Sequence, residues 1–154
     1  MDPRELALRP AVAAEQMELE ALQWRASLAL PEYRDALMAN IDAIELPLAQ
    51  IEAGWVRVAD HRGAAVGFSV VLPRADGAME LDGLFVEPSC WRMGVGRMLV
   101  GQAARSVRGL GQSALHVVAN PLALGFYKAC GFALIDRCDT QFGIGLVMRL
   151  TVDG

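Results

Sequence analysis

The apolar positions of the chain follow two different periods. In the first third they recur at helical steps. Between Val12 and Leu28, the residues Leu19, Leu22 and Ala26 fall on one helical face, and from Tyr33 the series Leu37, Ile41, Ile44, Leu48 and Ile51 continues in threes and fours. Pro31 suits the first turn of that second helix, and Pro47 kinks or divides it. Ahead of them, residues 5–9 are short and apolar enough for an edge strand. From Trp55 the period drops to two: Trp55-Val56-Arg57-Val58-Ala59 alternates as a half-buried strand does. His61-Arg62-Gly63 supplies a hairpin turn into a second strand, Ala65 to Leu72. Pro73 to Gly77 is a further turn, and Met79 to Val86 a third strand. Gly83 lies inside it, where a lone glycine marks a bulge or a close backbone approach.

Helical spacing returns at Trp91 or Arg92. Val95, Met98, Leu99, Ala103, Val107 and Leu110 make one apolar face, ended by Gly109 and Gly111. Ala114 to Ala119 reads as a buried strand broken only by His116. Leu122 to Cys130 reads as a short helix stopped by Gly131. Phe132 to Asp136 and Ile144 to Val152 close the series, joined through Arg137 to Gly143. The order predicts an α/β (α+β) fold: one domain over residues 1–154, with a single mixed, mostly antiparallel sheet of about six to seven strands and helices on both faces.

Composition narrows the class. At 154 residues, 54% hydrophobic and 21% charged, the chain is core-rich, and a domain of this size buries roughly 70% of its unfolded surface. A net charge of −4 without a run of Lys or Arg argues against a nucleic-acid backbone as partner. The apolar stretches fall short of the roughly 20 residues that span a bilayer, so no membrane partner is expected. The sequence Met1-Asp2-Pro3-Arg4-Glu5 lacks the basic-then-apolar order of a signal peptide. Cys90, Cys130 and Cys138 are odd in number and widely spaced, which suits a reducing cytoplasm. Neither His61 nor His116 forms metal-ligand spacing with them, and no metal is expected.

The segment from Glu80 to Arg97 carries the chemistry. A strand leads through a short loop into Arg92-Met93-Gly94-Val95-Gly96-Arg97, where unpaired N–H groups and the positive end of a helix dipole suit an anion. A Walker loop needs a Gly-Lys-Ser/Thr ending, which is missing. A dinucleotide fingerprint needs a small residue at Leu99 and an acid near His116. Both are excluded. A glycine pair that only allows tight strand-to-helix packing remains the plain alternative.

A second cassette, Asn120-Pro121-Leu122-Ala123-Leu124-Gly125-Phe126-Tyr127 with Gly131-Phe132, follows. Together the two resemble the GNAT superfamily of acetyl-coenzyme-A-dependent N-acetyltransferases. Its first hallmark, a strand, an acidic-Pro step and Gln/Arg-x-x-Gly-x-Gly/Ala, matches Leu84-Phe85-Val86-Glu87-Pro88 and Trp91 to Gly96. Its second, Asn-x-x-Ala-x-x-Phe-Tyr-x-x-x-Gly-Phe, matches Asn120, Ala123, Phe126, Tyr127, Gly131 and Phe132. The family's Gln/Arg is Trp91 here, which leaves diphosphate contact to Arg92, to Arg97 or to main-chain N–H groups. The motifs cover roughly residues 79 to 132.

The resemblance implies acetyl-CoA as cosubstrate, wedged between the Met79–Val86 and Leu115–Asn120 strands near Gly83. Pantetheine pairs with the main chain of Leu84 and Val86, beside Phe85, and the diphosphate rests on Arg92, Met93, Gly94, Val95, Gly96 and Arg97. Asn120, Phe126 and Tyr127 complete the cofactor side, and the Val86 N–H is the candidate oxyanion donor. Acyl transfer to an amine needs a base, because an amine of pKa about 8 to 10.4 is mostly protonated at pH 7. Glu80 is the first candidate and Asp82, two residues on, the next. Tyr127 is the candidate acid toward the leaving thiolate, although a thiol of pKa about 8.5 leaves fairly well unaided.

Each residue has a plainer reading. Glu80 and Asp82 serve equally as solvated strand-end carboxylates, Tyr127 as a core aromatic, Asn120 as a helix cap and His116 as a hydrogen-bonded core histidine. Cys130 packs. Glu32, Asp42, Glu45 and Glu52 form a solvated face. The expected acceptor is a small-molecule or peptide amine, and a homodimer through the last strands is compatible with the layout. A domain that binds coenzyme A without turnover is the second functional reading.

Overall fold

The structure, a computed structural model, describes residues 2–40, 42 and 44–152. Seven strands form a mixed sheet: β1 (Leu6–Pro10), β2 (Val56–His61), β3 (Ala64–Pro73), β4 (Met79–Val86), β5 (Ala114–Ala119), β6 (Ala133–Thr140) and β7 (Gly143–Thr151). Their order is β1-β2-β3-β4-β5-β7-β6. The helices are α1 (Gln16–Leu28), α2 (Pro31–Ala39), α3 (Leu48–Glu52), α4 (Val95–Gly109) and α5 (Leu124–Ala129). Among the described residues no helix is long and apolar enough to cross a membrane.

The chain divides into two compact units: Met1–Val70 with Gly83–Leu99, and Val71–Asp82 with Val100–Gly154. In the first, β1 pairs antiparallel with β2, and β2 with β3. The start of α4 buries Val95 and Leu99 with Ala59, against Leu6, Leu8, Val66, Leu84 and Val86. Gly67 permits this closeness: a Cβ there would lie 3.0 Å from both the Phe85 carbonyl oxygen and the Val95 side chain. Phe68, fully buried, meets Phe85 at a ring-centroid separation of 5.3 Å. In α1 the predicted stripe Leu19, Leu22 and Ala26 is the buried set.

In the second unit β5 pairs antiparallel with β7, and β7 with β6. Parallel to β5, β4 contributes the pairs Met79↔Leu115, Glu80↔His116 and Leu81↔Val117, although β4 runs on to Val86 and β5 to Ala119. Alternation separates the two faces of these strands. Met79, Leu81, Leu115, Val117, Leu146 and Met148 are buried, while Asp82, Val118, Arg149 and Thr151 on the alternate positions are exposed.

Element types follow the sequence pattern, with corrections at the ends. The second apolar stripe divides, as Pro47 predicts. It splits into α2 and α3, with Asn40 donating its side-chain amide to Ala36 O at 2.8 Å and Pro47 standing as the N-cap of α3. Ile41 of that stripe lies outside the described residues. Residues 13–15 and 121–123 are 3-10 turns ahead of α1 and α5. Helix α4 starts at Val95 rather than at Trp91 or Arg92, because Arg92 and Gly94 hold φ of +66° and +86°. The closing hairpin is tighter than expected. β6 runs to Thr140, whose hydroxyl donates to Gly143 O at 2.7 Å, and only Gln141 and Phe142 form the turn.

Candidate active site

The glycine-rich segment is anchored before it turns. Glu87 N–H donates to Val66 O at 2.9 Å. The Glu87 carboxylate accepts two bonds from the Arg25 guanidinium on α1, at 2.8 and 2.7 Å, which holds its carboxyl below the usual range. A 3-10 turn over Pro88–Cys90 follows. Trp91 then turns back, and its indole N–H donates to Val86 O at 2.8 Å. Sequence patterns gave no sign of the Arg25 clamp or of this indole bond.

Arg92 in the left-handed region costs about 1–2 kcal/mol, since its Cβ crowds the following carbonyl. Successive residues alternating in handedness turn their N–H groups toward one concavity, an anion-binding nest. Met98 N–H is taken by Gly94 O at 3.0 Å. Among the described residues, none of the N–H groups from Arg92 to Arg97 donates to a protein acceptor. A Cβ at Gly94 would meet nothing within 4 Å, and Arg92 and Arg97 are exposed and form no ion pair among the described residues. Unsatisfied donors, open space and two guanidinium groups fit a diphosphate such as that of coenzyme A.

Asn120 follows β5 directly, and its side-chain oxygen accepts Leu122 N–H at 2.7 Å, so the capping role read from sequence is present. Tyr127 is 8% exposed and packs edge-on against Phe126 and Phe132, with ring centroids 5.0 and 5.3 Å apart. Among the described residues no group hydrogen-bonds its hydroxyl. Burial holds the phenol well above its usual 10.0, with a smaller push from Cys130. Tyr127 is therefore a protonated donor throughout the neutral range.

Glu80 and Asp82 share the open face of the second unit's strands. Burial raises the Glu80 carboxyl above its usual value, the Asp82 charge adds to this, and Arg74 opposes it. Asp82 reaches the surface, yet neighbouring protein displaces enough water to raise its carboxyl too. A carboxylate with a raised pKa is a stronger base. His116, expected in the core with a hydrogen-bond partner, is instead half-buried in register with Glu80, with no such bond among the described residues. Burial, Arg74 and Arg149 together lower its pKa and favour the neutral ring. Glu32, Asp42, Glu45 and Glu52 are exposed, as a solvated face requires. Among the described residues no group of three or more His, Cys, Asp or Glu could hold a metal ion.

Residues 15–132 match the model of the acetyltransferase (GNAT) family. The chain belongs to that family. A GNAT relative, serotonin N-acetyltransferase 2, chloroplastic, of Oryza sativa subsp. japonica, is 34% identical over 95 residues, 56% of this chain and 44% of the relative. The matched stretch is thus under half the length of that curated protein. Among solved structures, the PaiA N-acetyltransferase of Thermoplasma acidophilum in complex with coenzyme A superposes with a TM-score of 0.75 at 18% identity, over 95% of this chain and 98% of that one. The structure of yncA from Salmonella typhimurium with acetyl-CoA gives 0.73 at 21% identity, over 97% and 95%. Both share the GNAT fold of this chain.

Proposed function

We propose that the protein is an acetyl-CoA-dependent N-acetyltransferase acting on a primary amine by direct attack. The observation that carries this reading is Glu80, a half-buried carboxylate with raised basicity on a GNAT strand whose pairing with β5 ends, among the described residues, one residue later at Leu81. In this reading the main chain of Leu84 to Val86 pairs with pantetheine, and the Arg92–Arg97 turn receives the diphosphate. Acetyl-CoA supplies the activated acyl group.

Glu80 accepts the amine proton, directly or through a water, with Asp82 beside it. The amine nitrogen forms its bond to the acetyl carbon as the carbon–sulfur bond breaks. Val86 N–H receives the developing charge on the carbonyl oxygen, and Tyr127 returns a proton to the departing sulfur. A domain that only binds coenzyme A has no use for a strengthened base and a protonated buried phenol, which supports turnover.

The expected acceptor is a small-molecule or peptide amine. The name of the plant relative makes serotonin one compound to assay. A homodimer through the closing strands belongs to the same reading, supported by β6, which ends the sheet order and is largely exposed. Light scattering that reads a monomer at working concentration removes it. The test of the activity is release of free coenzyme A over a panel of amines. Thermal stabilisation by coenzyme A with no release across the whole panel would refute turnover.

A further inference from the structure

The open face of the second unit's strands carries a polar row that acetyl transfer does not by itself require. Glu80 on β4 stands in parallel register with His116 on β5, and His116 in antiparallel register with Arg149 on β7. Residues in register share a face, so carboxylate, imidazole and guanidinium follow one another across three adjacent strands. The face is accessible: Val118 is 43% exposed, and Arg149 and Thr151 are exposed. Two arginines bear on it, in different states. Arg74 is engaged, donating to Asp76 at 3.2 and 2.6 Å. Arg149 makes no hydrogen bond or ion pair among the described residues.

We infer that the acceptor is an aminocarboxylate, its amine received at Glu80 and its carboxylate at Arg149. This inference rests on the acetyltransferase reading above and names the substrate class for the same site. Arginine suits the second task because its planar fork grips a carboxylate through two parallel bonds. Adjacent strands lie about 4.8 Å apart, which puts the Glu80 and Arg149 Cα positions about 10 Å from each other. With both side chains standing roughly perpendicular to the sheet, a hydrogen bond of about 2.9 Å at each end leaves about 4 Å across the face between the amine and the carboxylate, the span of a β- or γ-amino acid. His116 lies between the two ends, where a neutral ring adds no charge to repel the bound ammonium before its proton leaves. The same chemistry occurs in a free amino acid and in a peptide with an acidic residue near its amino terminus.

The test compares kcat/KM of the full chain, at saturating acetyl-CoA, for β-alanine, 4-aminobutyrate, ethylamine, propylamine, serotonin, Asp-Ala-Ala and Ala-Ala-Ala. Compounds carrying the carboxylate are expected to exceed their matched amines by about 10- to 100-fold, chiefly through KM, as a charge-assisted contact made before and during the reaction does. Arg149→Gln should bring that ratio close to one, and Arg149→Lys should restore part of it. A stronger preference for Asp-Ala-Ala than for the free amino acids identifies the peptide as the source. A ratio near one in the native protein, a ratio untouched by Arg149→Gln, or a preference for serotonin over every carboxylate overturns the inference alone. Failure to acetylate any amine while coenzyme A still binds overturns the transferase reading itself.

Discussion

Glu80→Gln is the sharpest perturbation of the proposed chemistry. The substitution keeps the shape of the side chain and removes only its ability to take a proton. An alkylamine of pKa about 10.4 is neutral in about one molecule in several thousand at pH 7, so a positioned base has a large deficit to offset. General-base assistance contributes about 10²- to 10⁴-fold. Asp82 on the same face, with its own raised carboxyl, retains part of that function in the variant. The expected loss in kcat is therefore about 10²- to 10³-fold, or about 3–4 kcal/mol of transition-state stabilisation. Coenzyme A affinity should change little, because the Arg92–Arg97 donors are untouched. Steady-state thiol release and calorimetric titration measure the two quantities separately.

The pH dependence supplies an independent check on the same residue. Glu80 must be ionised to act, so native activity falls as pH drops through its pKa. That acid limb lies above the ordinary glutamate value of 4.5, because burial and Asp82 raise it. In Glu80→Gln that limb should give way to one set by Asp82, which carries the residual activity. The stability consequence has the opposite sign from a salt-bridged acid. A carboxyl with a raised folded pKa destabilises the native state once ionised, an effect present above the folded pKa and absent below the unfolded one. The variant should therefore melt higher than the native protein at neutral pH, with the difference fading as pH falls below 4.5. Unchanged kcat with an intact acid limb refutes the assignment and transfers the base role to Asp82 or to water.

Three further outcomes test other parts of the site. Tyr127→Phe should lower kcat about tenfold, the value of one hydrogen bond to developing charge, while leaving the melting temperature unchanged, since the hydroxyl has no hydrogen-bond partner among the described residues. Native activity should show no alkaline loss from this phenol below pH 10, because burial holds its pKa above 10.0. Gly94→Ala meets no steric obstacle but holds a φ of +86°, so denaturation should show a loss of about 1 kcal/mol, with coenzyme A affinity falling about tenfold as the N–H groups tilt away. Trp91→Phe removes the 2.8 Å bond to the Val86 carbonyl and should cost about 1 kcal/mol; an unaltered denaturation midpoint would show that water replaces the indole without loss.

The strands were legible because their signal is local. Met79, Leu81 and Gly83 alternate with Glu80 and Asp82, and any sheet that buries one set must present the other. The division of the second stripe was legible at Pro47, but the end of α2 at Ala39 was not, because a stripe of threes and fours carries no record of where main-chain hydrogen bonding stops. Pro47, which cannot donate to a helix interior, was the usable clue. The delayed start of α4 was hidden for a related reason. Arg92 is a good helix former, and only the three-dimensional demand for a left-handed turn removes it from the helix. At the site, Glu80, Tyr127 and Asn120 stood out through motif spacing. Arg25, His116 and Arg149 could not, because their significance is a matter of pairing: a clamp between positions 62 residues apart, and a register across strands that sequence order does not reveal.

Two local features here depart from what stability alone favours, and in the proposed function both serve one ligand. Arg92 holds a backbone conformation that glycine would adopt without penalty. Among the described residues strand β4 forms three pairs with β5, although each strand runs past them. The first turns outward a run of N–H groups that have no acceptor among the described residues. The second leaves main-chain groups beyond Leu81 available to a partner that can pair as a strand does. Under the proposed function, a ligand with a diphosphate at one end and an amide-bearing arm behind it would meet both sets of donors and acceptors. The Arg25–Glu87 pair lies on the segment that joins them, at the exit of β4, and fixes the point where strand becomes turn. Such a clamp is worth little as a surface ion pair, about 0–1 kcal/mol. Its value is positional, because a strained turn binds an anion only if its donors stay aimed when no ligand is there to hold them.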